Sequence, residues 1–343
     1  MEAARDAGGT VTRAETNEFA QQSTTAAEPN GSEYTATADV SRLPKTKLIF
    51  HSAFHQQTYE NQTQISSVYP LASLPQADQG LFKIPSDIPS IVFAIVTEST
   101  IFHPQGGGQP SDVGEMEIQG VSASNTHTQT FKVITARTSA TNPGVVLHFG
   151  YFADENASDH DLSGAQVRQV VDAEKRKLFS RLHTAGHVLG TATRTLLEKR
   201  IDNFDELKAS HFPDSAACEF QGLIDGKFKP EIQTAVDELV DKDAQVQIGW
   251  WTKSDFRQRG LERLLPSDKD WKEIAIYVDE NGDGVDGTEA DDEKTRIRVV
   301  DIVGAEVYPC GGTHVPSTKA CGKVTVRKIS RQKGNSRVSY LVD

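Results

Sequence analysis

The sequence predicts an α+β protein in which a β-rich first half is followed by a half that mixes helices and strands. The first observation is a series of short runs rich in β-branched and aromatic residues at 46–161, separated by turn residues. The second is a change after residue 162 to apolar residues at helical spacing, followed by more strand-like runs. Two domains are therefore expected, 46–161 and 162–343, and the first has the strand spacing of a small barrel or sandwich.

Composition and charge narrow the class of protein. The chain has 343 residues, of which 37% are hydrophobic and 24% are charged, as in ordinary globular proteins of about two domains. It contains no apolar run long enough to span a bilayer, and its N-terminus lacks the apolar core of a signal peptide. Three cysteines, Cys218, Cys310 and Cys321, are too few for a disulfide framework. A reducing, cytoplasmic location without a membrane partner is therefore expected.

The first domain is expected to follow a tail. Residues 1–45 are rich in Ser, Thr, Ala and Glu and poor in large apolar residues, which predicts a mostly disordered segment. Strands are then predicted over KLIFHS (47–52), IVFAIVTEST (91–100), MEIQ (116–119), FKVIT (131–135) and VVLHF (145–149).

The second domain is predicted to begin with a long helix, or two, from Ser163, which could serve as the N-cap. Its apolar residues follow helical spacing: Val167, Val170, Val171, Leu178, Leu182, Val188 and Leu189. A further helix is predicted over 230–240. Strands are predicted over EIAIYV (273–278), RIRVVDI (296–302), KVTVRKI (323–329) and RVSYLV (337–342).

An acidic segment, 279–294, lies between two of these strands. It opens like a calcium-binding EF-hand loop, with Asp279, Asn281, Asp283 and Gly284. The twelfth position is Ala290 rather than the required Glu, and neither flank has a helical pattern. An acidic surface loop is the better prediction.

Two short motifs predict a metal site. In HTAGH, His183 and His187 are four residues apart, so they project from one face of a helix. In CGGTH, Cys310 and His314 flank two glycines that permit a tight backbone turn. Three nitrogens and one thiolate form a tetrahedral set that suits a zinc ion. A zinc protease is excluded, because Thr184 stands where the catalytic Glu of HExxH is required.

Other interpretations of the same motifs are weaker. A catalytic Cys–His pair would leave two further histidines unexplained, and a phosphate-binding loop needs the GK[ST] ending that CGGTH lacks. A structural zinc remains a full alternative, because four protein ligands normally close a site, whereas catalysis needs an open position.

A glycine-rich segment, FHPQGGGQPSDVG (102–114), stands in the β-rich half. Its consecutive glycines allow the backbone to approach a ligand closely, although a tight surface turn would have the same pattern. The C-terminus has a different signature. The net charge of −12 argues against a general nucleic-acid coat, yet 307–342 contains no Asp or Glu and seven Lys or Arg. This stretch predicts either a local contact with a phosphate backbone or a solvated strand face.

Taken in order, FHPQGGGQPSDVG, HTAGH and CGGTH resemble the editing part of alanyl-tRNA synthetase and its free-standing relatives, the AlaX proteins. The resemblance covers roughly 47–342. It implies a β-barrel followed by the α+β zinc-binding editing domain that alanyl- and threonyl-tRNA synthetases share. No ATP-binding aminoacylation domain precedes the motifs, so a free-standing editor that acts in trans is expected.

The resemblance implies a zinc-dependent deacylase that removes serine, or glycine, from mischarged tRNA(Ala), with tRNA as its partner. It implies one zinc ion held by His183, His187, Cys310 and His314. Candidate catalytic residues are Thr184, His211 and Thr313. Candidate substrate or tRNA contacts are Gly106, Gly107, Gly108, Gln109, Lys208, Lys323 and Arg327. Cys218 and Cys321 are expected to be structural. The alternative is a zinc-stapled RNA- or protein-binding module without catalysis.

Overall fold

The structure is a computed structural model that describes residues 38–119, 128–154, 162–278, 284–285 and 294–343. Residues 1–37 of the predicted tail, and all of the acidic loop except 284–285 and Lys294, lie outside the described residues. The end of the predicted tail belongs to the folded part. Val40, in a short 3-10 helix (Val40–Arg42), is fully buried in a core cluster that includes Leu74 and Phe149.

Within the described ranges the chain forms seventeen strands and five α-helices. Those of the first half are β1 (Lys47–Leu48), β2 (Glu60–Pro70), α1 (Gln76–Gln79), β3 (Phe93–Thr97), β4 (Ser99–Thr100), β5 (Gly114–Ile118), β6 (Gln129–Thr138), β7 (Val146–Phe152) and β8 (Gln166–Val171). Those that follow are α2 (Ala173–Leu197), β9 (Asp205–Ser210), β10 (Ala217–Gln221), α3 (Lys229–Asp241), β11 (Val246–Trp251), α4 (Lys253–Gln258), α5 (Asp268–Ile274), β12 (Ile276–Val278), β13 (Gly284–Val285), β14 (Thr295–Ile302), β15 (Glu306–Pro309), β16 (Val324–Gln332) and β17 (Asn335–Val342).

The first half is a closed six-stranded antiparallel barrel, as its strand spacing predicted. The strand order around the barrel is β2-β3-β7-β6-β5-β8. Strand β6 alternates buried and half-exposed residues, which is the pattern of a strand with one face toward the barrel interior. The interior is packed with apolar side chains such as Ile95, Met116 and Phe131.

The predicted start of the long helix at Ser163 is wrong. Residues 166–171 form β8, the strand that closes the barrel, and α2 begins only at Ala173. The cap is Asp172, whose side chain accepts a hydrogen bond from the Lys175 backbone N–H at 3.0 Å. The barrel therefore extends about ten residues beyond the boundary expected from the sequence.

A buried amide explains why this strand was missed. Strand β8 buries every second residue, but Gln169 takes one of the inward positions and is fully buried. Its Oε1 accepts from the Ile101 N–H at 3.0 Å, and its Nε2 donates to Thr97 Oγ1 at 3.1 Å. A polar residue at an inward position hides the two-residue period, so the spacing of Val167, Val170 and Val171 resembles that of a helix.

The second half contains two sheets. The first, in the order β16-β17-β10-β9, shares a core cluster with α2 and α3. The second has the order β11-β14-β12-β13, with β15 paired to β14, and buries Trp251 and Trp271 with residues of α4 and α5. No described helix is long and apolar enough to cross a membrane.

Several strands of this half differ from the sequence-based expectation. The strands expected at 323–329 and 337–342 are present as β16 and β17, which pair antiparallel. The run 273–278 begins in α5, and only its end forms β12. No strand is predicted over β2, β9, β11 or β15, and in β2 and β9 charged and polar residues interrupt the apolar pattern. The strand-like run around Cys218 is present as β10.

A fully buried histidine in the barrel makes folding sensitive to pH. His148 Nδ1 donates to the Ile95 carbonyl at 2.8 Å, and Nε2 accepts from Thr100 Oγ1 at 2.7 Å. Burial lowers the pKa of His148 from 6.5 to about 4. Between these values the unfolded chain binds the extra proton and the folded chain does not, so stability falls as the pH decreases.

We therefore expect the free energy of unfolding of the native chain to lose about 2 kcal/mol between pH 7 and pH 5 through this residue. Denaturant unfolding of the native chain and of His148→Gln at both pH values measures it. The difference in unfolding free energy between the two proteins should shrink by that amount at pH 5. A difference that is independent of pH would contradict this assignment.

Candidate metal centre

Four side chains from two distant parts of the chain converge on one point. His183 and His187 lie one turn apart on α2, while Cys310 and His314 belong to the loop after β15. One ligand atom from each residue lies within 4.8 Å of the ligand atoms of the other three. The Cys310 Sγ is 3.4 Å from His183 Nε2 and 3.3 Å from His314 Nε2. The two motifs that predicted a metal site are therefore brought together.

The barrel orients one of these four residues, His183. Gln109 Oε1 accepts from the Thr313 backbone N–H at 3.0 Å, which fixes the direction of the Gln109 amide. The same Oε1 is 2.7 Å from His183 Nδ1, so His183 carries its proton on Nδ1. Nε2 of His183 is then left with a lone pair toward Cys310. Gln109 is fully buried.

A buried threonine, Thr184, orients another of the four residues, His314. Thr184 Oγ1 donates to the Ser180 carbonyl at 2.9 Å and accepts from the Val315 N–H at 3.2 Å. His314 Nδ1 lies 3.1 Å from the same oxygen and must therefore donate to it. His314 is thus held in the tautomer whose Nε2 carries a lone pair toward Cys310 Sγ. Partners of this kind, behind the ligands, fix ring orientation in metal sites.

Thr313 belongs to the same hydrogen-bond network. Its Oγ1 accepts from Gln109 Nε2 at 2.8 Å and lies 2.7 Å from Ser180 Oγ. Both Thr184 and Thr313 are fully buried, and their hydroxyls are occupied by these partners. The structure therefore places the two threonines behind the ligands rather than in an open cleft.

His187 supplies a nitrogen with no partner. Its ring stacks on Tyr308, with centroids 4.1 Å apart, and its buried Nε2 has no hydrogen-bond partner among the described residues. A buried, unpaired nitrogen costs free energy unless something binds it. Because His187 is one of the four converging residues, a metal ion is the simplest partner for that lone pair.

The protonation states suit metal binding. Burial, followed by the charges of neighbouring residues, lowers the pKa of His183 and of His314 well below 6.5, and that of His187 to about 3. The imidazoles are therefore neutral at pH 7, which is the form that binds a metal. Burial raises the pKa of the Cys310 thiol, while the Arg298 guanidinium and the Gly312 N–H act in the opposite direction.

The residues fit a zinc ion. Nitrogen and sulfur ligands suit zinc, and tetrahedral coordination places ligand atoms about 3.5 Å apart, close to the Cys310 contacts. The tautomers of two histidines are fixed, and the third has an orphan nitrogen. No Asp or Glu belongs to the set.

The glycine-rich loop forms a tight turn beside the centre. Gly106 and Gln109 bond to each other through their backbones, at 2.9 and 3.3 Å, with Gly107 and Gly108 between them at φ of +54° and +80°. Positive φ at both central positions defines a type I′ turn. The Gly108 carbonyl accepts from the His211 N–H at 2.8 Å, and a Cβ at Gly108 would collide with the Ala209 carbonyl.

His211 lies against the metal ligands. Its ring stacks on His183 at 4.3 Å between centroids. Tyr340 Oη donates to the Leu182 carbonyl at 2.8 Å, so it accepts from His211 Nδ1 at 2.6 Å. Nε2 of His211 therefore carries the lone pair. A Cβ at Gly186, the glycine of HTAGH, would overlap the His211 ring, so this glycine provides the space.

A buried ion pair holds the loop to the start of α2. Arg176 and Asp112 are both at most 1% exposed and bond through both guanidinium Nε and Nη2. Asp112 Oδ2 also accepts from the His103 N–H at 2.5 Å. Removing one partner of such a pair leaves an uncompensated buried charge. The loop is thereby held at two points, Gln109 and Asp112.

The predicted basic contacts are spread over the surface. Lys208, on β9, is 74% exposed and lies 3.6 Å from Glu219. Lys323 is 75% exposed and lies 3.7 Å from Asp343, and Arg327 is exposed on β16. Strands β16 and β9 are at opposite edges of the four-stranded sheet. The structure therefore does not bring Lys208 together with Lys323 and Arg327. Cys218 and Cys321 are buried free thiols in a core cluster.

Sequence reasoning missed several residues of the centre. Tyr308 flanks CGGTH, Ser180 precedes HTAGH by three positions, and Arg298 lies in a run that was interpreted only as a strand. Their proximity to the motifs is a weak signal, since flanking residues more often only pack. The link of Gln109 to His183 joins positions 74 residues apart, and no local pattern indicates it.

The chain is similar to known proteins. The model of the threonyl and alanyl tRNA synthetase second additional domain matches residues 297–339, which include Cys310 and His314. The chain is 28% identical over 241 residues to the alanyl-tRNA editing protein AlaX-L of Pyrococcus horikoshii, covering 70% of this chain and 49% of that protein.

The chain is also similar to alanine–tRNA ligases. Identity to the Methanosphaera stadtmanae enzyme is 26% over 310 residues, covering 88% of this chain and 27% of the ligase. Identity to the Pyrococcus abyssi enzyme is 27% over 248 residues, covering 72% and 23%. The chain thus spans about half the length of the editing protein and about a quarter of the ligases. The similarity predicted from the motifs is confirmed.

The two glycines of CGGTH provide a matched test of the centre. A Cβ on Gly312 would overlap the His183 ring and lie 2.6 Å from Gln109 Oε1, whereas a Cβ on Gly311 meets only His51 Nε2, at 3.6 Å. We expect Gly312→Ala to weaken zinc binding by at least about tenfold, because it displaces His183. Gly311→Ala should bind zinc as the native chain does. Competition with a colorimetric chelator measures both, and equal affinities for the two variants would contradict this geometry.

Proposed function

We propose that this protein hydrolyses mischarged aminoacyl-tRNA in trans, with Ser-tRNA(Ala) as the preferred substrate and Gly-tRNA(Ala) as a second. The observation that carries the proposal is the contact between the glycine-rich loop of the barrel and the His/Cys centre, made through Gln109 and His183. The relative named as an alanyl-tRNA editing protein, AlaX-L, covers 70% of the chain and supports the substrate class.

The proposed cofactor is one zinc ion held by His183, His187, Cys310 and His314. When bound, zinc can orient a water or polarise the ester carbonyl. The protein residues hold the ligands in place: Gln109 binds Nδ1 of His183, and Thr184 binds Nδ1 of His314. We assign Thr184 and Thr313 to this positioning role, because both hydroxyls are already occupied by buried partners.

His211 is our candidate for proton transfer. Burial lowers the pKa of His211 to about 4, so the ring is neutral at pH 7. Its Nδ1 proton is committed to Tyr340, which leaves Nε2 to accept a proton from the attacking water. The product alcohol of ester hydrolysis, the ribose hydroxyl, must take a proton, and the same nitrogen can return it.

The tRNA would be bound by exposed groups, some at the glycine-rich turn and others elsewhere on the surface. Gly106 and Gly107 are exposed at the tip of the turn, and no atom lies within 4 Å of a Cβ built on Gly107. Backbone here can approach the terminal nucleotide. Lys208, Lys323 and Arg327 would contact phosphates, so we expect tRNA affinity to decrease as salt increases.

A second function is favoured by one feature of the centre. The four residues supply only nitrogen and sulfur ligands, as in closed structural zinc sites. In that case the chain is a zinc-stapled RNA- or protein-binding module without hydrolysis.

Deacylation of seryl-tRNA(Ala) separates the two functions. We expect the zinc-loaded protein to release serine, and a chelator or His187→Ala to reduce release to the uncatalysed rate, because the site then loses its ion. The exposed His55→Ala is the matched control and should retain activity. Parallel assays with glycyl- and alanyl-tRNA(Ala) define the substrate. A zinc-replete protein that binds the tRNA and releases no amino acid would support the module and exclude the enzyme.

A further inference from the structure

A buried arginine at the metal centre has a free hydrogen-bond donor. Arg298, on β14, is 5% exposed. Its Nε donates to the His51 carbonyl at 3.1 Å, and its Nη1 donates to the Cys310 carbonyl. Its Nη2 is buried, and no atom of the described part of the chain accepts a hydrogen bond from it. One donor atom of this guanidinium is thus unused.

Within the described ranges, no Asp or Glu forms an ion pair with this arginine. The other buried arginines are paired: Arg176 with Asp112, and Arg194 with Glu206 and two further carboxylates. A guanidinium keeps its proton at pH 7 even when it is buried, so Arg298 is a buried cation. A buried cation without a carboxylate favours an anion nearby.

The guanidinium of Arg298 bonds to residues of a partly exposed rim. Its two carbonyl partners belong to His51 and Cys310, which are both half-buried, and the next residue, Gly311, is exposed. His51 Nε2 bonds to the Gly311 carbonyl at 3.1 Å, so this side of the rim is one connected structure. Arg298 contacts the candidate metal centre directly, through its bond to the Cys310 carbonyl.

We propose that Nη2 of Arg298 binds an anionic oxygen of the substrate or product at this rim. The inference rests on the proposed function. In the ester the amino acid carries no carboxylate. Hydrolysis adds water across the acyl–oxygen bond, releasing a ribose hydroxyl, an amino-acid carboxylate and a proton. The anionic oxygen therefore comes either from the acyl carbon, as it becomes a carboxylate, or from the phosphate of the terminal nucleotide.

Two pairs of probes distinguish these sources. L-serine and L-serinamide differ in the carboxylate, and adenosine 5′-monophosphate and adenosine differ in the phosphate. Each is titrated into zinc-loaded protein by calorimetry or NMR. For one pair, we expect the anionic probe to bind the native chain at least about tenfold more tightly than its neutral counterpart, the advantage of a charged hydrogen bond.

Two variants on one strand provide the comparison. Arg298→Met removes the donor, and the anionic probe should lose its advantage while zinc content is unchanged. Arg296→Met, at an exposed position two residues earlier, should retain the advantage. Because each result is a ratio of two affinities in one protein, a purely structural role of Arg298 would lower both affinities and leave the ratio intact.

The outcomes are decisive for this site. If L-serine binds at least about tenfold more tightly than L-serinamide, and Arg298→Met removes this difference, the group that Arg298 binds is the acyl oxygen. If the same holds for adenosine 5′-monophosphate against adenosine, the group is the phosphate. Ratios near one for both pairs, or a ratio that survives Arg298→Met, overturn the inference. Deacylation is measured on the same samples. If deacylation is normal and both ratios are near one, only this inference is refuted. If a ratio depends on Arg298 but no deacylation occurs, the anion site is retained and the proposed function is refuted.

Discussion

One hydrogen bond, between Gln109 and His183, joins the two halves of this protein at its centre. Gln109 belongs to the barrel and His183 to the first helix of the second half, yet their side chains meet at 2.7 Å in a fully buried position. A second bond of Gln109, to the Thr313 backbone N–H, connects it to the loop that carries Cys310 and His314. The glycine-rich loop, HTAGH and CGGTH are therefore parts of one network.

Because this network is buried, each of its polar groups needs a hydrogen-bond partner. A donor or acceptor that loses its partner in such a place costs about 1–3 kcal/mol, and a half-satisfied network is worse than an apolar core. The ion pair of Arg176 with Asp112 adds a second constraint on the same loop. Small residues are required where rings pass the backbone, as at Gly186 and Gly312. We infer that the centre forms only when barrel and helix dock correctly.

The sequence predicted the local geometry of the centre but not its supports. His183 and His187 share a helix face because they are four apart, and CGGTH needs its glycines, so both ligand pairs follow from spacing alone. Gln169 and Gln109 did not follow, because a buried amide looks like a surface residue until its partners are known. Gln169 hides the period of β8 and with it the start of α2, and Gln109 reaches His183 across 74 residues. The bond of Arg298 to the Cys310 carbonyl is likewise not indicated by any local pattern.

The most direct measurement is the zinc affinity of Gln109→Leu. Leucine removes the acceptor of the His183 Nδ1 proton, so we expect zinc to bind about 10–100-fold more weakly than to the native chain. The control is Gln105→Leu in the same loop, where the side chain is exposed and no effect is expected. Affinity that remains native in Gln109→Leu would contradict the claim that the barrel orients a metal ligand.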